Sequence, residues 1–392
     1  MEAELDSLTE DGDPVDAEDL ARGTGAVSIQ ESTESKYLGP SSGIAISRIV
    51  LQLAKQFTEA GSISEIVSDK TAMHVKEHYT QEESKPTSKV YPLVSNVAAE
   101  ELPTHKVTRA LLALFNLKGS FPNVIHCCNV MLLTVALVQH MYPFFHEPTL
   151  SEDVDAVYSG SKDPYQNYVV RMVIAISLQK FDTQYAGLAD SYYLAALKHL
   201  EEMLRYRNLK TLQCLGMIAE YSLLTPTRTA AYYIVGLGVR LCQALGIHEE
   251  KTIARSRTGK KPDFLEVDMR RRLFWCFLVM EFGLSHTLGR PSIFAMSLEH
   301  MDVKWFASVP DEYIKPSGIA PGAPRDPKKW IAIHFFKMRL LQLEIRRTLY
   351  QKKRSTPTSD QDPWFKEMER KLEKWRDTSP HGGEMTGLNK VW

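Results

Sequence analysis

The sequence predicts an all-α protein of antiparallel helices, and this prediction covers residues 104–392. Apolar side chains recur there at intervals of three and four residues, which is the spacing of one buried helix face. Runs that alternate between apolar and polar residues, and would indicate strands, are few. A hydrophobic fraction of 44% in 392 residues is enough to bury a large core. Helices packed on helices are therefore the expected architecture.

The N-terminal part of the chain divides into two predicted segments. Residues 1–36 are an acidic tail or linker remnant that we predict to be disordered, because the first 35 residues carry eleven acids and one base, Arg22. Residues 37–103 begin with one predicted helix, whose apolar stripe runs from Ile46 to Phe57. The rest of this segment is polar and interrupted by prolines, so we expect an irregular connector.

Five apolar stripes predict the first helices of the C-terminal segment. Gly246 follows the last of them, at the position where a glycine commonly ends a helix. A turn at residues 225–227 separates the fourth stripe from the fifth. The stripes are Leu111–Phe115, Val169–Leu178, Leu188–Leu204, Leu212–Ala219 and Arg228–Leu245.

Three more helices and two loops complete the predicted chain. Residues 249–263 are basic and polar and predict a loop, which leads into a helix that begins near Glu266. Residues 304–328 hold five prolines and predict a second, longer loop. Helices over about 328–352 and 363–376 follow.

Charge and cysteine content exclude several classes of protein. The formal net charge is −1, so the chain as a whole is not an electrostatic trap for nucleic acid. None of the five cysteines is in Cys-x-x-Cys spacing, so neither a zinc site nor a thioredoxin-type site is indicated. Sparse cysteines with apolar neighbours suit a reducing compartment.

Short motifs for catalysis are present but lack the context that catalysis requires. His74, Glu77 and His78 match the H-x-x-E-H pattern of inverted zinc peptidases. That pattern lies in a polar segment without an apolar stripe, which favours an exposed helix over a metal site. The Gly236-Leu237-Gly238 fragment of a dinucleotide pattern lies inside a helical stripe, and we interpret both glycines as sites of close helix packing.

Basic clusters have two interpretations each. Arg270, Arg271 and Arg272 could bind phosphate, but we expect them to pair with acids such as Glu266 and Asp268 while the apolar face of the same helix packs inward. The patch of Arg346, Arg347 and residues 352–354 resembles a weak nuclear-localisation signal. A solvated helix end is the preferred interpretation there.

The order of several motifs resembles the regulatory domain of fungal zinc-cluster transcription factors, their "middle homology region". The resemblance spans roughly residues 37–390. Its landmarks include an aromatic entry with His146 and Pro148, a Gly-rich helix that ends at His248, an arginine-rich helix with Phe274 and Trp275, and a Gly-Arg-Pro turn. The family-signature residues, to which the resemblance implies a structural role, are Arg270, Arg271, Arg272, Phe274, Trp275, Gly289, Arg290, Pro291, His146 and Pro148.

The resemblance implies a regulatory, non-catalytic domain that controls transcription by RNA polymerase II in the nucleus. Expected partners are other transcription-factor subunits or co-regulators, with a small-molecule effector as a further candidate and no membrane. No catalytic, cofactor, metal or DNA-contacting residue is expected in this chain. Zinc and DNA contact are expected only of an N-terminal six-cysteine cluster, which this sequence does not contain, so we predict no sequence-specific duplex binding.

Two departures from the family pattern lead to further expectations. Residues 124–139 precede the aromatic entry as an apparent insertion, and the family's later helices would follow Trp392, so a C-terminal truncation is expected. Two alternatives to a regulatory domain stay open. One is an all-α enzyme or metal-dependent hydrolase with a site between helices. The other is a competitor that pairs with full-length relatives and cannot itself bind DNA.

Overall fold

The computed structural model describes eleven ranges or single positions of the chain: 26–27, 36–37, 95–116, 142–181, 185–225, 230–255, 262–293, 301–350, 357, 359 and 361–379. Several predicted features lie outside these residues. They are most of the acidic tail, the helix at Ile46–Phe57, the H-x-x-E-H motif, the insertion at 124–139 and the basic residues 352–354.

Within the described residues the protein is all-α, as the apolar periodicity predicts. The eleven helices are α1 (His105–Phe115), α2 (Glu147–Tyr158), α3 (Pro164–Phe181), α4 (Ala186–Leu197), α5 (Leu200–Tyr206), α6 (Leu209–Leu224), α7 (Ala231–Leu245), α8 (Glu250–Ile253), α9 (Phe264–Thr287), α10 (Pro327–Tyr350) and α11 (Pro363–Asp377). None of the helices in these ranges is both long and apolar enough to cross a membrane.

The strands among the described residues form two short antiparallel ribbons. Ala26–Val27 (β1) pairs with Lys36–Tyr37 (β2), and Ile314–Lys315 (β3) pairs with Gly318–Ile319 (β4). The second ribbon follows a 3-10 turn at Asp311–Tyr313. The loop predicted over 304–328 therefore contains local structure, which is too short to leave a periodic signal.

The chain divides into two compact units. One comprises residues 1–85 with 282–293, and the other residues 86–281 with 294–392. In the larger unit α3 packs against α1, α2, α4, α5 and α6, which makes it the central helix. Its residues from Tyr168 to Ile176 are buried on nearly every side, with Arg171 as the exception, as expected of a helix apolar around most of its circumference.

Three differences from the predicted helices have local causes. The stripe at Leu188–Leu204 is two helices, because the His199 N–H bonds to the Ala196 carbonyl three residues back and interrupts the α pattern. Helix α2 was not predicted, because its stripe is only Leu150, Val154 and Val157. Helix α8 lies inside the predicted polar loop and is a single turn.

Glycine ends helix α7 as predicted. Gly246 has φ 70°, and its N–H bonds to the Gln243 carbonyl while the Ile247 N–H bonds to that of Cys242. This pair of hydrogen bonds is a Schellman motif, which satisfies carbonyls that the helix leaves without partners. A left-handed φ favours glycine, so the residue type here determines where the helix stops.

The two glycines inside α7 differ in surroundings. A Cβ atom at Gly238 would overlap the ring of Phe277 on α9, so this glycine permits close packing of the two helices. At Gly236 a Cβ would meet nothing within 4 Å. The prediction of close packing is therefore right for Gly238 and wrong for Gly236, because the two residues lie on different faces of the helix.

We predict opposite effects for alanine at these two positions. Gly238→Ala should lower the free energy of unfolding by about 1–3 kcal/mol, because the buried ring of Phe277 must move. Gly236→Ala is the matched control. It should leave the free energy of unfolding unchanged or raise it by up to about 1 kcal/mol, because alanine has the better helix propensity. Urea denaturation of the two variants measures the difference. Equal stability of the two variants would contradict the assigned helix faces.

Helix α11 is attached to α10 through a buried histidine. The His334 and Trp375 rings are stacked with centroids 4.6 Å apart, and the Trp375 indole donates to the His334 carbonyl at 2.9 Å. The His334 Nε2 atom is buried without a hydrogen-bond partner among the described residues. Burial, with the Lys337 cation adding to it, lowers the pKa of His334 below its ordinary value of 6.5.

This lowered pKa predicts loss of stability in acid. The folded state binds the proton more weakly than the unfolded state, so the contribution of His334 is complete above about pH 6.5 and is lost as the pH falls through the folded pKa. His334→Phe keeps a stacking ring without a titratable group and should reduce the loss of thermal stability between pH 7 and pH 5. A control change at exposed His105, to Asn, should leave that loss in place. Unchanged pH dependence in His334→Phe would place the acid-sensitive group elsewhere.

Candidate functional site

The three arginines of α9 point in three directions, because consecutive helix residues are about 100° apart. Only one of them can face the core. That residue is Arg272, whose side chain is 0% exposed, whereas those of Arg270 and Arg271 are 14% and 16% exposed.

Arg272 is held by two carboxylates and a backbone carbonyl. Its Nε donates to Asp268 Oδ2 at 2.7 Å, one helical turn back on α9. Its Nη2 and Nη1 donate to the two oxygens of Asp311 at 2.7 and 3.3 Å, and Nη1 also donates to the Phe145 carbonyl at 3.1 Å. The paired contact with Asp311 uses the planar fork of the guanidinium, which matches a carboxylate.

Asp311 joins three more parts of the chain to this arginine. Its Oδ1 accepts from the ammonium of Lys329 at the start of α10. Its Oδ2 accepts from the Glu147 N–H at 2.8 Å, and its carbonyl lies 2.9 Å from His146 Nε2. The N–H of Glu147 belongs to the first turn of α2, where no side chain of the preceding residue caps the helix. Asp311 therefore caps α2 from 164 positions away in the sequence.

We call Asp268, Arg272, Asp311 and Lys329 the arginine–aspartate cluster. All four are buried, and the charges of two cations and two carboxylates balance. Lys329 also donates to the Val309 carbonyl at 2.6 Å, and Asp268 accepts from the Ala307 N–H at 2.6 Å. The segment between α9 and α10 is thereby fixed at Ala307, Val309 and Asp311.

The electrostatics of the cluster favour the ionised forms of its central pair. Burial alone would raise the pKa of Asp311, but Arg272 and Lys329 outweigh it and hold that pKa well below its usual range. Burial alone would lower the pKa of Arg272, but Asp268 and Asp311 raise it above its ordinary value. For Lys329, burial and the Arg272 cation lower the pKa against the opposing effect of Asp311.

Arg270 and Arg271 flank the cluster and bind α8. Arg270 donates to the carbonyls of Ile253 and Arg255 at 2.9 and 3.0 Å and to Glu266 at 2.6 Å. Arg271 forms a two-point contact with Glu250. Burial alone would raise the pKa of Glu250, but Arg271 and the Lys304 N–H lower it.

The aromatic residues of α9 lie on its buried side. The Trp275 ring stacks on Trp305 with centroids 4.1 Å apart, and its indole donates to the Lys304 carbonyl at 3.1 Å. Phe274 is fully buried and meets Trp275 edge to face. The rings of Phe277 and Phe144 have centroids 5.8 Å apart, and Phe144 belongs to the aromatic entry that precedes α2.

The remaining family-signature residues lie at helix ends. His146 precedes α2, and Pro148 occupies its first turn, where a missing N–H costs no helix hydrogen bond. Gly289 has φ 65°, and the Gly289 and Arg290 N–H groups donate to the carbonyls of His286 and Ser285. This is again a Schellman motif, and Pro291 follows it.

The sequence patch at the end of α10 is only partly described. Arg347 is 8% exposed, so the interpretation of this position as part of a solvated helix end is wrong. Over the ranges given above, no three His, Cys, Asp or Glu side chains are grouped so that they could hold a metal ion.

A match to a protein-family model decides the affiliation of the chain. Residues 132–377 match the fungal specific transcription factor domain, which is more than half of the sequence. This chain belongs to that family. The predicted family is therefore confirmed, and it favours a regulatory domain over an enzyme with a site between helices.

Curated relatives are fungal regulators of known genes or pathways. The chain is 24% identical to the "Positive regulator of purine utilization" of Emericella nidulans, over 98% of this chain and 42% of that protein. It is 28% identical to "Pyrimidine pathway regulatory protein 1" of Saccharomyces cerevisiae, over 44% of this chain and 19% of the relative. It is 25% identical to an "ABC-transporter-regulating transcription factor" of Aspergillus oryzae, over 61% of this chain and 27% of the relative.

The chain thus spans less than half the length of each of these three relatives. No solved structure matches it.

The cluster is only partly predictable from the sequence. Asp268 lies beside the three arginines on the same helix, which indicates a pairing with one of them. Neither Lys329 nor Asp311 carries such a local signal. Their partners are 18 and 39 positions distant, which no local pattern indicates.

We predict that the cluster is sensitive to the loss of one carboxylate. Asp311→Asn leaves Arg272 and Lys329 buried with one negative partner and should lower the free energy of unfolding by about 3–5 kcal/mol. The control is Glu201→Gln, which breaks the exposed pair of Glu201 with Arg205 and should change stability little. Urea denaturation at neutral pH compares them. A loss in Asp311→Asn no larger than in the control would show that the buried cluster does not stabilise the fold.

Proposed function

We propose that this chain is the regulatory, non-catalytic part of a fungal transcription factor and that it acts in the nucleus. The observation that carries the proposal is the family match over residues 132–377, together with relatives that are named as regulators. Its proposed partners are other subunits or co-regulators of transcription. Contact with DNA, and any zinc, would come from a six-cysteine cluster that is not in this sequence.

The geometry of the buried cluster supports a structural role over a catalytic one. Both oxygens of Asp311 already accept two hydrogen bonds each. A carboxylate held ionised in this way has little affinity for a proton, so it is a poor general base. The cavity beside Asp311 and Lys329 has a volume of about 70 Å³. Pockets for small organic molecules are several times larger, at roughly 300–1,000 Å³.

A reporter experiment tests the regulatory role. The chain is placed between a heterologous DNA-binding module and a constitutive activation segment, and the reference fusion carries a flexible spacer of equal length. We expect reporter expression to differ from the reference by about fivefold or more, since a regulatory coupling is typically worth 1–3 kcal/mol. At a temperature at which Gly238→Ala is unfolded and Gly236→Ala is folded, the Gly238→Ala chain should lose this effect and the Gly236→Ala chain should keep it.

Expression equal to that of the spacer fusion, with all fusion proteins present at equal levels, would contradict the regulatory role. Regulation that survives in Gly238→Ala, if that variant is unfolded, would show that the folded domain is not what regulates.

A further inference from the structure

A second and larger cavity is lined in part by the first turns of α9. Its volume is about 320 Å³, which falls within the range of small-molecule pockets. It opens where the end of α5, the end of α7, α8 and the first turns of α9 meet. We call it the arginine cavity, because its walls combine apolar side chains with three arginines. The residues that matter here are Leu209, Leu245, Ile247, Arg207, Arg255 and Arg270.

The charges at this cavity are not balanced as they are in the buried cluster. Glu266 is the one carboxylate among its lining residues, and it is already paired with Arg270 at 2.6 Å. The guanidinium groups of Arg207 and Arg255 have no carboxylate partner within the part of the chain that the structure describes. Arg207 and Arg255, both exposed, therefore line a recess whose lining also includes the apolar residues Leu209, Leu245 and Ile247.

Arg207 also has an unusual backbone. Its φ and ψ are both 47°, in the left-handed region, and it is the one non-glycine residue with positive φ among those described. An arginine in this region is strained relative to glycine. Glycine takes a left-handed conformation at Gly246, which ends α7. Glycine can therefore replace Arg207 without adding backbone strain.

We propose that the arginine cavity binds a small organic anion, a carboxylate or phosphate monoester with an apolar body. Arg207 and Arg255 would bind the anionic group, since guanidinium forks match both kinds of oxyanion. Leu209, Leu245 and Ile247 would cover the apolar body. A role of this molecule as an effector rests on the proposed regulatory function. Its binding to the arginine cavity does not depend on that function.

Three probes with one apolar body test the site on the whole purified chain. They are 2-naphthoate, 2-naphthyl phosphate and uncharged 2-naphthol, titrated by isothermal calorimetry. We expect at least one of the two anions to bind about tenfold more tightly than naphthol, because charge-assisted hydrogen bonds to arginine contribute that much. The tighter of the two anions identifies the preferred headgroup.

Two variants assign the binding to the cavity. Arg207→Gly removes the cation and suits the left-handed backbone, so its thermal midpoint should not fall. Arg255→Gln removes the second cation. Each should weaken anion binding about tenfold. Arg205→Gln is the matched control, because it removes an exposed arginine two residues from Arg207 that pairs with Glu201. It should bind as the unchanged chain does.

The proposal is overturned if neither anion binds, if naphthol binds equally well, or if the Arg207 and Arg255 variants bind like the Arg205 control. The reporter fusion separates this result from the regulatory role. If the chain binds the anion but leaves the reporter unchanged, the result contradicts the regulatory function and supports the binding site. If the chain regulates the reporter but does not bind the anion, the result supports the regulatory function and contradicts the binding site.

Discussion

The contact of Arg272 with Asp311 is the constraint on which the larger unit depends. Moving two charges out of water is costly, so a buried pair persists only when its other hydrogen-bonding positions are also filled. Here they are filled by Asp268, Lys329 and backbone groups. These partners come from three stretches of the chain, which are α9, the start of α10 and residues 145–147. The pair therefore fixes the start of α2, the start of α10 and the middle of α9 against one point, which apolar contacts alone would specify less closely.

This arrangement explains how residues 304–310 keep a defined course without a helix or a strand. Ala307, Val309 and Asp311 each place a backbone or side-chain group in the cluster. A loop fixed at three points within five residues needs no long helix or strand to define its course. The 3-10 turn begins at Asp311 itself, and the small ribbon comes directly after it.

Local pattern and local chemistry determine what the sequence could predict here. The apolar stripes of α3, α6 and α9 and the glycine after α7 are readable from short spans, because their signals are periodic or specific to one residue type. The break at His199 and the short stripe of α2 have no such signal. The roles of Asp311 and Lys329 depend on which of three consecutive arginines faces inward. That choice is set by packing of distant helices, which a single sequence does not contain.

The same helix serves two different environments. Arg272 is committed to the core, while Arg270, half a turn earlier, binds the carbonyls of Ile253 and Arg255 and faces the arginine cavity. Arg271 adds a contact to Glu250, which in turn accepts from the Lys304 N–H at 3.0 Å. Helix α8 is thus attached to α9 by Arg270 and Arg271. It is attached to Lys304, in the loop that precedes α10, by Glu250. Any change in the position of α8 must break or shift these contacts together.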